Sequence, residues 1–203
     1  MRKASRILGL VICIFCICFS AAAQKNQLSA DFGVKLTPSV GTANTFNGTT
    51  STSNAFAFEL NFAHQIHSLP FASLQIELPY IFTSQTDLKN LNLFTASGYS
   101  AQFLTPSLKL QANPNGKISP WISAGAGFAR LKSANTTLGG TTIPQNSTIK
   151  PAYQGGGGVD FKLHKLTFRV EGRELYAGPP NLNVSSIRVH HNIMVAAGLV
   201  LNF

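Results

Sequence analysis

Cysteine is nearly absent from this chain: all three of its cysteines, Cys13, Cys16 and Cys18, lie ahead of Gln24. From Gln24 onward, disulfides, thiolate metal sites and cysteine nucleophiles are therefore excluded. Charge is scarce as well, because Asp, Glu, Lys and Arg make up 11% of the residues, whereas ordinary soluble domains have about a quarter. Beyond Gln24 there is also no apolar run long enough for a membrane-spanning helix. The composition is not that of a typical soluble domain.

The N-terminus has the layout of a secretory signal peptide. Basic residues are followed by an apolar stretch from Ile7 to Phe19 and then by Ala21-Ala22-Ala23, a small-residue cleavage pattern. The apolar stretch is short for a spanning helix, although an uncleaved anchor remains the alternative. We predict that residues 1–23 are a signal peptide and that residues 24–203 form one domain.

Apolar and polar residues alternate with a period of two, which places successive side chains on opposite faces of a β-strand. No helical period competes over a useful length. The pattern predicts strands at residues 28–36, 54–64, 71–82, 99–111, 121–131, 152–163, 166–176 and 190–203.

Long and short connections alternate between these strands. The long ones, 37–53, 83–98, 132–151 and 177–189, are rich in Thr, Ser, Asn, Gly and Pro, and the short ones are 65–70, 112–120 and 164–165. A transmembrane barrel with periplasmic termini needs this pattern of short turns and longer outer loops. We therefore predict an all-β, eight-stranded antiparallel transmembrane β-barrel.

Charged residues fall on the polar face of the predicted strands, in equal numbers of acids and bases. An eight-stranded barrel has an interior that side chains can fill, and buried charges are tolerated when they are paired. The pattern predicts a charge network in the lumen, and a solvated sheet face is the alternative. The network comprises Asp31, Lys35, Glu59, Glu77, Lys109, Asp160, Lys162, Arg169, Glu171 and Arg173.

Aromatic residues occur near the ends of the predicted strands. In membrane barrels such residues form girdles at the two interfaces of the bilayer. We predict this role for Tyr80, Phe82, Trp121, Tyr176 and Phe203.

The last segment, from Val195 to Phe203, alternates regularly and ends in an aromatic residue. It resembles the C-terminal signal of bacterial outer-membrane proteins, and the chain is similar to the small OmpA/OmpX-like barrel superfamily. Thr105 to Leu110 and Gly156 to Phe161 also fit this resemblance. It implies that the barrel assembly machinery reads a signal on one face of the strand. The signal residues are Val195, Ala197, Leu199, Leu201 and Phe203.

No motif predicts a cofactor or a metal. The run Gly155–Gly158 lacks the Gly-Lys-Ser/Thr ending of a phosphate loop, and close packing in a strand is its expected role. His64 and His67 lack an evident third metal ligand. Some lipid A deacylases are eight-stranded barrels with a strand His and a nearby Ser, but Asn192 stands two residues beyond His190.

The predicted function is a non-enzymatic scaffold that displays polar loops outside the cell. A narrow passive channel is the second hypothesis, and a lipid-A-modifying enzyme that uses His190 or His191 is the third. Without the three bases of the predicted signal peptide, 16 − 3 = 13 Lys+Arg remain against 7 Asp+Glu. This basic balance favours outer-membrane lipid and lipopolysaccharide phosphate as partners of an exported protein. No nucleic-acid partner is predicted, and a monomer is expected.

Overall fold

The computed structural model describes residues 25–36, 51–52, 54–86, 88–89, 99–133, 136–138, 141–143, 147–163, 166–178 and 190–203. These residues form strands and the short segments between them. The strands are β1 (Asn26–Leu36), β2 (Ser51–Thr52), β3 (Ala55–Ser68), β4 (Ala72–Thr86), β5 (Leu88–Lys89), β6 (Tyr99–Leu104), β7 (Ser107–Ala112), β8 (Ile118–Ser133), β9 (Thr136–Leu138), β10 (Thr141–Ile143), β11 (Ser147–Leu163), β12 (Leu166–Ala177) and β13 (His190–Asn202). The predicted signal peptide, residues 1–23, lies outside the described residues.

The long strands close into one antiparallel barrel. Each pairs with its neighbour in the sequence, and β1 pairs with β13 to complete the ring. The backbones of Asn26 and Phe203 exchange two hydrogen bonds, of 2.9 and 3.0 Å, at this closure. The segments β6 and β7 together make one strand position, since both lie between β4 and β8. The predicted all-β, eight-stranded antiparallel barrel is confirmed. No helix in the described part of the chain could cross a membrane.

The two ends of the barrel differ. The turn end carries Lys25, Phe203 and the tight turns at 69–71 and 113–117. At the loop end the strands lead into the four long connections, and β2 and β5, which belong to the first and second connections, pair in a small sheet. Several strands run further than predicted: β8 and β11 pair as far as Lys132 and Ser147. The short connection at residues 164–165 lies outside the described residues.

Two prolines interrupt the ladder on one side of the wall. Pro79 of β4 and Pro106, between β6 and β7, have no N–H to donate. The hydrogen bonds around them are long: Thr105 N donates to Pro79 O at 3.4 Å, and Ala126 N donates to Pro106 O at 3.2 Å. This proline discontinuity separates β6 from β7.

The polarity of the barrel is inverted relative to a soluble protein. Large apolar side chains point outward on every long strand, as Phe32, Ile122 and Leu199 illustrate with exposures of 56%, 64% and 49%. The inward positions hold most of the buried polar and charged groups. Because a contiguous apolar belt of this extent is unstable in water, this exterior is suited to hydrocarbon.

The charged lumen as the candidate functional site

Nine of the ten residues predicted for the lumen network have fully buried side chains inside the barrel. We call these nine the lumen cluster: Asp31, Lys35, Glu59, Glu77, Lys109, Asp160, Arg169, Glu171 and Arg173. They come from six strands, and the period-two alternation turns each of them inward. The cluster contains five acids and four bases.

Asp160 and Arg169 form the best-aligned ion pair of the cluster. They are direct cross-strand partners on β11 and β12, and Arg169 donates from Nε to Oδ1 at 2.7 Å and from Nη2 to Oδ2 at 2.9 Å. Gln111 and Trp121 also donate to the Asp160 carboxylate, at 3.0 and 3.2 Å. A bidentate pair of this kind is geometrically specific as well as strong. It neutralises both charges locally.

Arg173 is surrounded by carboxylates from three other positions. Its Nη2 lies 2.9 Å from Glu59 Oε1, its Nη1 3.0 Å from Glu77 Oε1, and its Nε 3.3 Å from Glu171 Oε1. Glu59 and Glu77 reach it from the opposite wall. Only the Arg173–Glu171 contact lies within β12, and the other carboxylate partners of Arg169 and Arg173 come from other strands.

The indole of Trp121 lies within the cluster rather than at a membrane interface. The residue is 3% exposed, and Lys109 Nζ, Arg169 Cζ and Arg173 Cζ lie 4.7, 5.0 and 5.1 Å from the centre of its ring. The predicted girdle role of Trp121 was wrong. On β8 it shares the inward parity of Ser123, and its ring faces three cations at cation–π distance.

Two inward glycines on β11 make room for this arrangement. A Cβ atom on Gly158 would lie 2.8 Å from Trp121 Cζ2, and one on Gly156 would lie 2.8 Å from Arg173 Cγ. At the outward-facing Gly155, nothing would lie within 4 Å of such an atom. The inward glycines thus serve close packing of a neighbouring ring and guanidinium.

Lys162, the tenth predicted residue, does not join the cluster. It is partly exposed at the turn end, where its ammonium group donates to the carbonyl of Pro114. The expected one-to-one balance of acids and bases is thus missing inside the barrel. Lys35 lies at the other extreme, near the loop end, beside Ala55 and Met194 in the ladder.

The lumen is apolar towards the loop end, a feature that the sequence patterns did not reveal. Ile81, Phe103, Leu175 and Met194 are buried there without exposure and pack with inward alanines. Their inward parity follows from the alternation, but apolar residues on the polar face of a strand carry no charge signal. The charges are consequently concentrated in the middle and turn-end parts of the lumen.

The predicted C-terminal signal residues occupy the outward face of β13. Val195, Leu199 and Leu201 are exposed there, and Ala197 and Phe203 are partly exposed. The side chains of His190 and His191, which the enzyme hypothesis requires, lie outside the described residues. His64 donates a hydrogen bond of 2.8 Å from Nδ1 to Asn26 Oδ1 at the turn end.

An antiparallel barrel of eight strands with a charged, filled interior and an apolar exterior defines a class. It is the small outer-membrane-type β-barrel, with the architecture of OmpA/OmpX-like barrels.

Comparison with solved structures identifies individual proteins whose fold is similar to that of this chain. Neisserial surface protein A (NspA) matches with a TM-score of 0.56 and 14% identity, over 88% of this chain and 97% of that one. The outer membrane protein OprG from Pseudomonas aeruginosa matches with a TM-score of 0.52 and 12% identity, over 89% and 96% of the two chains. No family model and no curated protein sequence matches this chain. At these identities the similarity establishes the fold.

Proposed function

We propose that this protein is a non-enzymatic scaffold of the bacterial outer membrane, with the turn end in the periplasm and the loop end outside the cell. The observation that carries the proposal is the inverted polarity of a closed barrel. In hydrocarbon every backbone polar group needs an internal partner, and a closed ring of strands supplies one. The four long polar connections then become surface loops on a rigid support, which is where such folds place their interactions.

The filled lumen favours a scaffold over the narrow passive channel. Trp121 and the side chains of Arg169 and Arg173 lie across its middle, and the apolar residues at the loop end add a second packed layer. Ions would have to displace paired charges and close-packed side chains to pass. The side chains of His190 and His191, on which a lipid-modifying enzyme would depend, lie outside the described residues.

Outer-membrane lipid, including lipopolysaccharide, is the partner that the outer wall favours. An outward groove near the loop end has one exposed base, Arg130, above an apolar floor; the other residues lining it are Tyr80, Gln102, Phe103, Leu104, Phe128 and Ile149. A lipid phosphate would pair with the Arg130 guanidinium, and the acyl chains of the same lipid would pack on the apolar floor.

The substitution R130Q is expected to lower the amount of lipopolysaccharide that the protein retains after mild detergent extraction. K117Q, at the turn end, removes a base of equal charge and is the matched control.

Epitope insertion tests the location and the orientation together. One variant carries a short tag between residues 139 and 140, in the third long connection, and the other carries it between Pro114 and Asn115, in a tight turn. We expect both variants in the outer-membrane fraction, with a gel mobility that changes on heating in detergent. Antibody is expected to label intact cells only for the first variant.

Each of the opposite results contradicts a separate part of the proposal. Recovery of the untagged protein in a soluble fraction, without a heat-dependent mobility, would exclude the membrane barrel. Labelling of the Pro114 tag on intact cells, with none at residue 139, would reverse the orientation. Neither result depends on the arrangement of the side chains inside the barrel.

A further inference from the structure

We propose that three carboxylates in the middle of the lumen, those of Asp31, Glu59 and Glu171, form a binding site for one divalent cation of the oxygen-preferring kind, such as Ca²⁺, Mg²⁺ or Mn²⁺. One oxygen from each residue lies within 4.8 Å of the others. Two oxygens on opposite sides of a Ca²⁺ ion, each about 2.4 Å away, are separated by about that distance. All three side chains are buried.

The fold brings these groups together from both sides of the closing strand. Asp31 and Glu59 are direct cross-strand partners on β1 and β3. Glu171 reaches them from β12, across β13, where the intervening inward positions are the small residues Ala196 and Gly198. A Cβ atom on Gly198 would lie 2.1 Å from the backbone oxygen of Ala30 and 2.5 Å from Asp31 Oδ1, so a larger side chain there would clash with the β1 backbone as well as with the Asp31 carboxylate.

Asp31 supplies the independent indication of a missing partner. It is fully buried, and no N–H group of the described residues donates to either of its carboxylate oxygens. The Ser29 hydroxyl lies beside it, accepts from Arg169 Nη1 at 3.3 Å and has its own O–H left to donate to the carboxylate. Glu59 Oε2 also lacks an N–H donor among the described residues, and its Oε1 meets Arg173 without hydrogen-bond alignment. Buried carboxylate oxygens without donors are costly.

The lumen cluster as a whole has more acids than bases, five against four. Asp160 is neutralised by Arg169. The three glutamates Glu59, Glu77 and Glu171 all contact the single guanidinium of Arg173. A cation bound at the carboxylates would offset this excess of acids. The all-oxygen donor set favours a hard cation over one that prefers imidazole or thiolate.

Metal analysis of the assembled protein tests the site. Full-length protein is purified from membranes in buffer with CaCl₂, MgCl₂ or MnCl₂, passed over a chelating resin and analysed by mass spectrometry. For at least one of the three ions we expect about one per chain in the wild type and a loss of about tenfold or more in D31N and E171Q. E174Q removes an exposed carboxylate from the same strand and is expected to retain the ion.

A second measurement compares the stability of the folded barrel with and without the ion. The wild-type barrel is refolded into detergent with the same ion or with EDTA, and the temperature at which the folded gel band converts is recorded. Because a ligand of the folded state stabilises it, the ion is expected to raise this temperature by several degrees. D31N is expected to show no such difference.

Two results would overturn the proposal. One is wild-type protein with none of the three ions bound and with no effect of EDTA on its conversion temperature, since protons would then neutralise the cluster. The other is retention of the ion by D31N and E171Q at the wild-type level. If neither variant assembles, the wild-type metal content and the EDTA comparison decide the question.

Discussion

Trp121 shows how a single inward residue can organise several charges. Its ring lies about equally far from Lys109, Arg169 and Arg173, and its Nε1 donates to Asp160. The indole therefore fills space between like-charged groups, with its negative ring face towards the cations and its N–H edge towards the Asp160 carboxylate. An aliphatic side chain of similar volume could supply only the packing.

Replacement of Trp121 by phenylalanine separates these contributions. The ring remains, but the donor to Asp160 is lost and the cation–π attraction weakens, so W121F is expected to lower the free energy of unfolding by about 1–3 kcal/mol. Equilibrium urea unfolding in lipid vesicles measures this value. Y153F, at a ring on the outer surface, should change it little, and an equal loss in both variants would argue against the role of Trp121.

The glycines of β11 provide a matched pair of substitutions. G158A places a methyl group against the Val170 carbonyl oxygen, Trp121 and Glu171, and overpacking of this kind is expected to cost about 1–3 kcal/mol. G155A, three residues away, meets open space and should be neutral or slightly stabilising. The same unfolding assay compares the free energies of unfolding of the two variants. Similar changes at the two positions would mean that strand propensity, and not the packing of the lumen, explains the glycines of β11.

At the scale of the strands, the alternation in the sequence was sufficient to predict which face of each strand is apolar. It could not predict which inward residues meet across the lumen, because that depends on the stagger between strands and on the closure of the barrel. Arg173 thus finds Glu59 and Glu77 on the far wall, partners that no local spacing indicates. The alternation along β8 by itself places Trp121 inside the barrel with Ser123. Its position near a predicted strand end suggested instead an aromatic girdle at the membrane interface.

The boundaries of the strands were predicted less well than their faces. Polar, β-compatible residues extend β8 to Ser133 and start β11 at Ser147, inside a segment whose composition indicates a loop. The pairing of one strand with its neighbour stabilises such extensions, and this contribution is not encoded in either segment alone. Lys162 was placed in the lumen by parity, but the tight turn at Pro114 offers it a nearer acceptor.

A charge on the outward face tests the membrane-facing role of β13. Leu199 is 49% exposed and pairs with Ala30 and Phe168 well inside the strand. L199K is expected to destabilise the barrel by about 2–4 kcal/mol in lipid, whereas L36K, at the loop end of β1, should cost about 1 kcal/mol or less because the cost falls towards the interface. Unfolding in vesicles distinguishes this depth dependence from a uniform effect, which would contradict a bilayer around the strands.

For the whole molecule, the packed lumen predicts that the barrel does not conduct ions. Purified barrel inserted into planar bilayers is expected to show no stable conductance steps, because ion pairs and the Trp121 ring occupy the middle of the interior. Correct insertion is checked by the heat-dependent gel mobility of the same preparation. Resolved steps from inserted protein would favour the narrow-channel hypothesis and would require the lumen cluster to rearrange.

The proline discontinuity gives the wall of the barrel an uneven resistance to solvent exchange. Pro79 and Pro106 each remove one amide from the ladder, and the neighbouring bonds of Thr105 and Ala126 are long. Amide deuteration should therefore begin in the residues next to this line, while the uninterrupted ladder between β12 and β13 is labelled late. We therefore expect local opening of the barrel wall to start beside the groove lined by Tyr80 and Leu104.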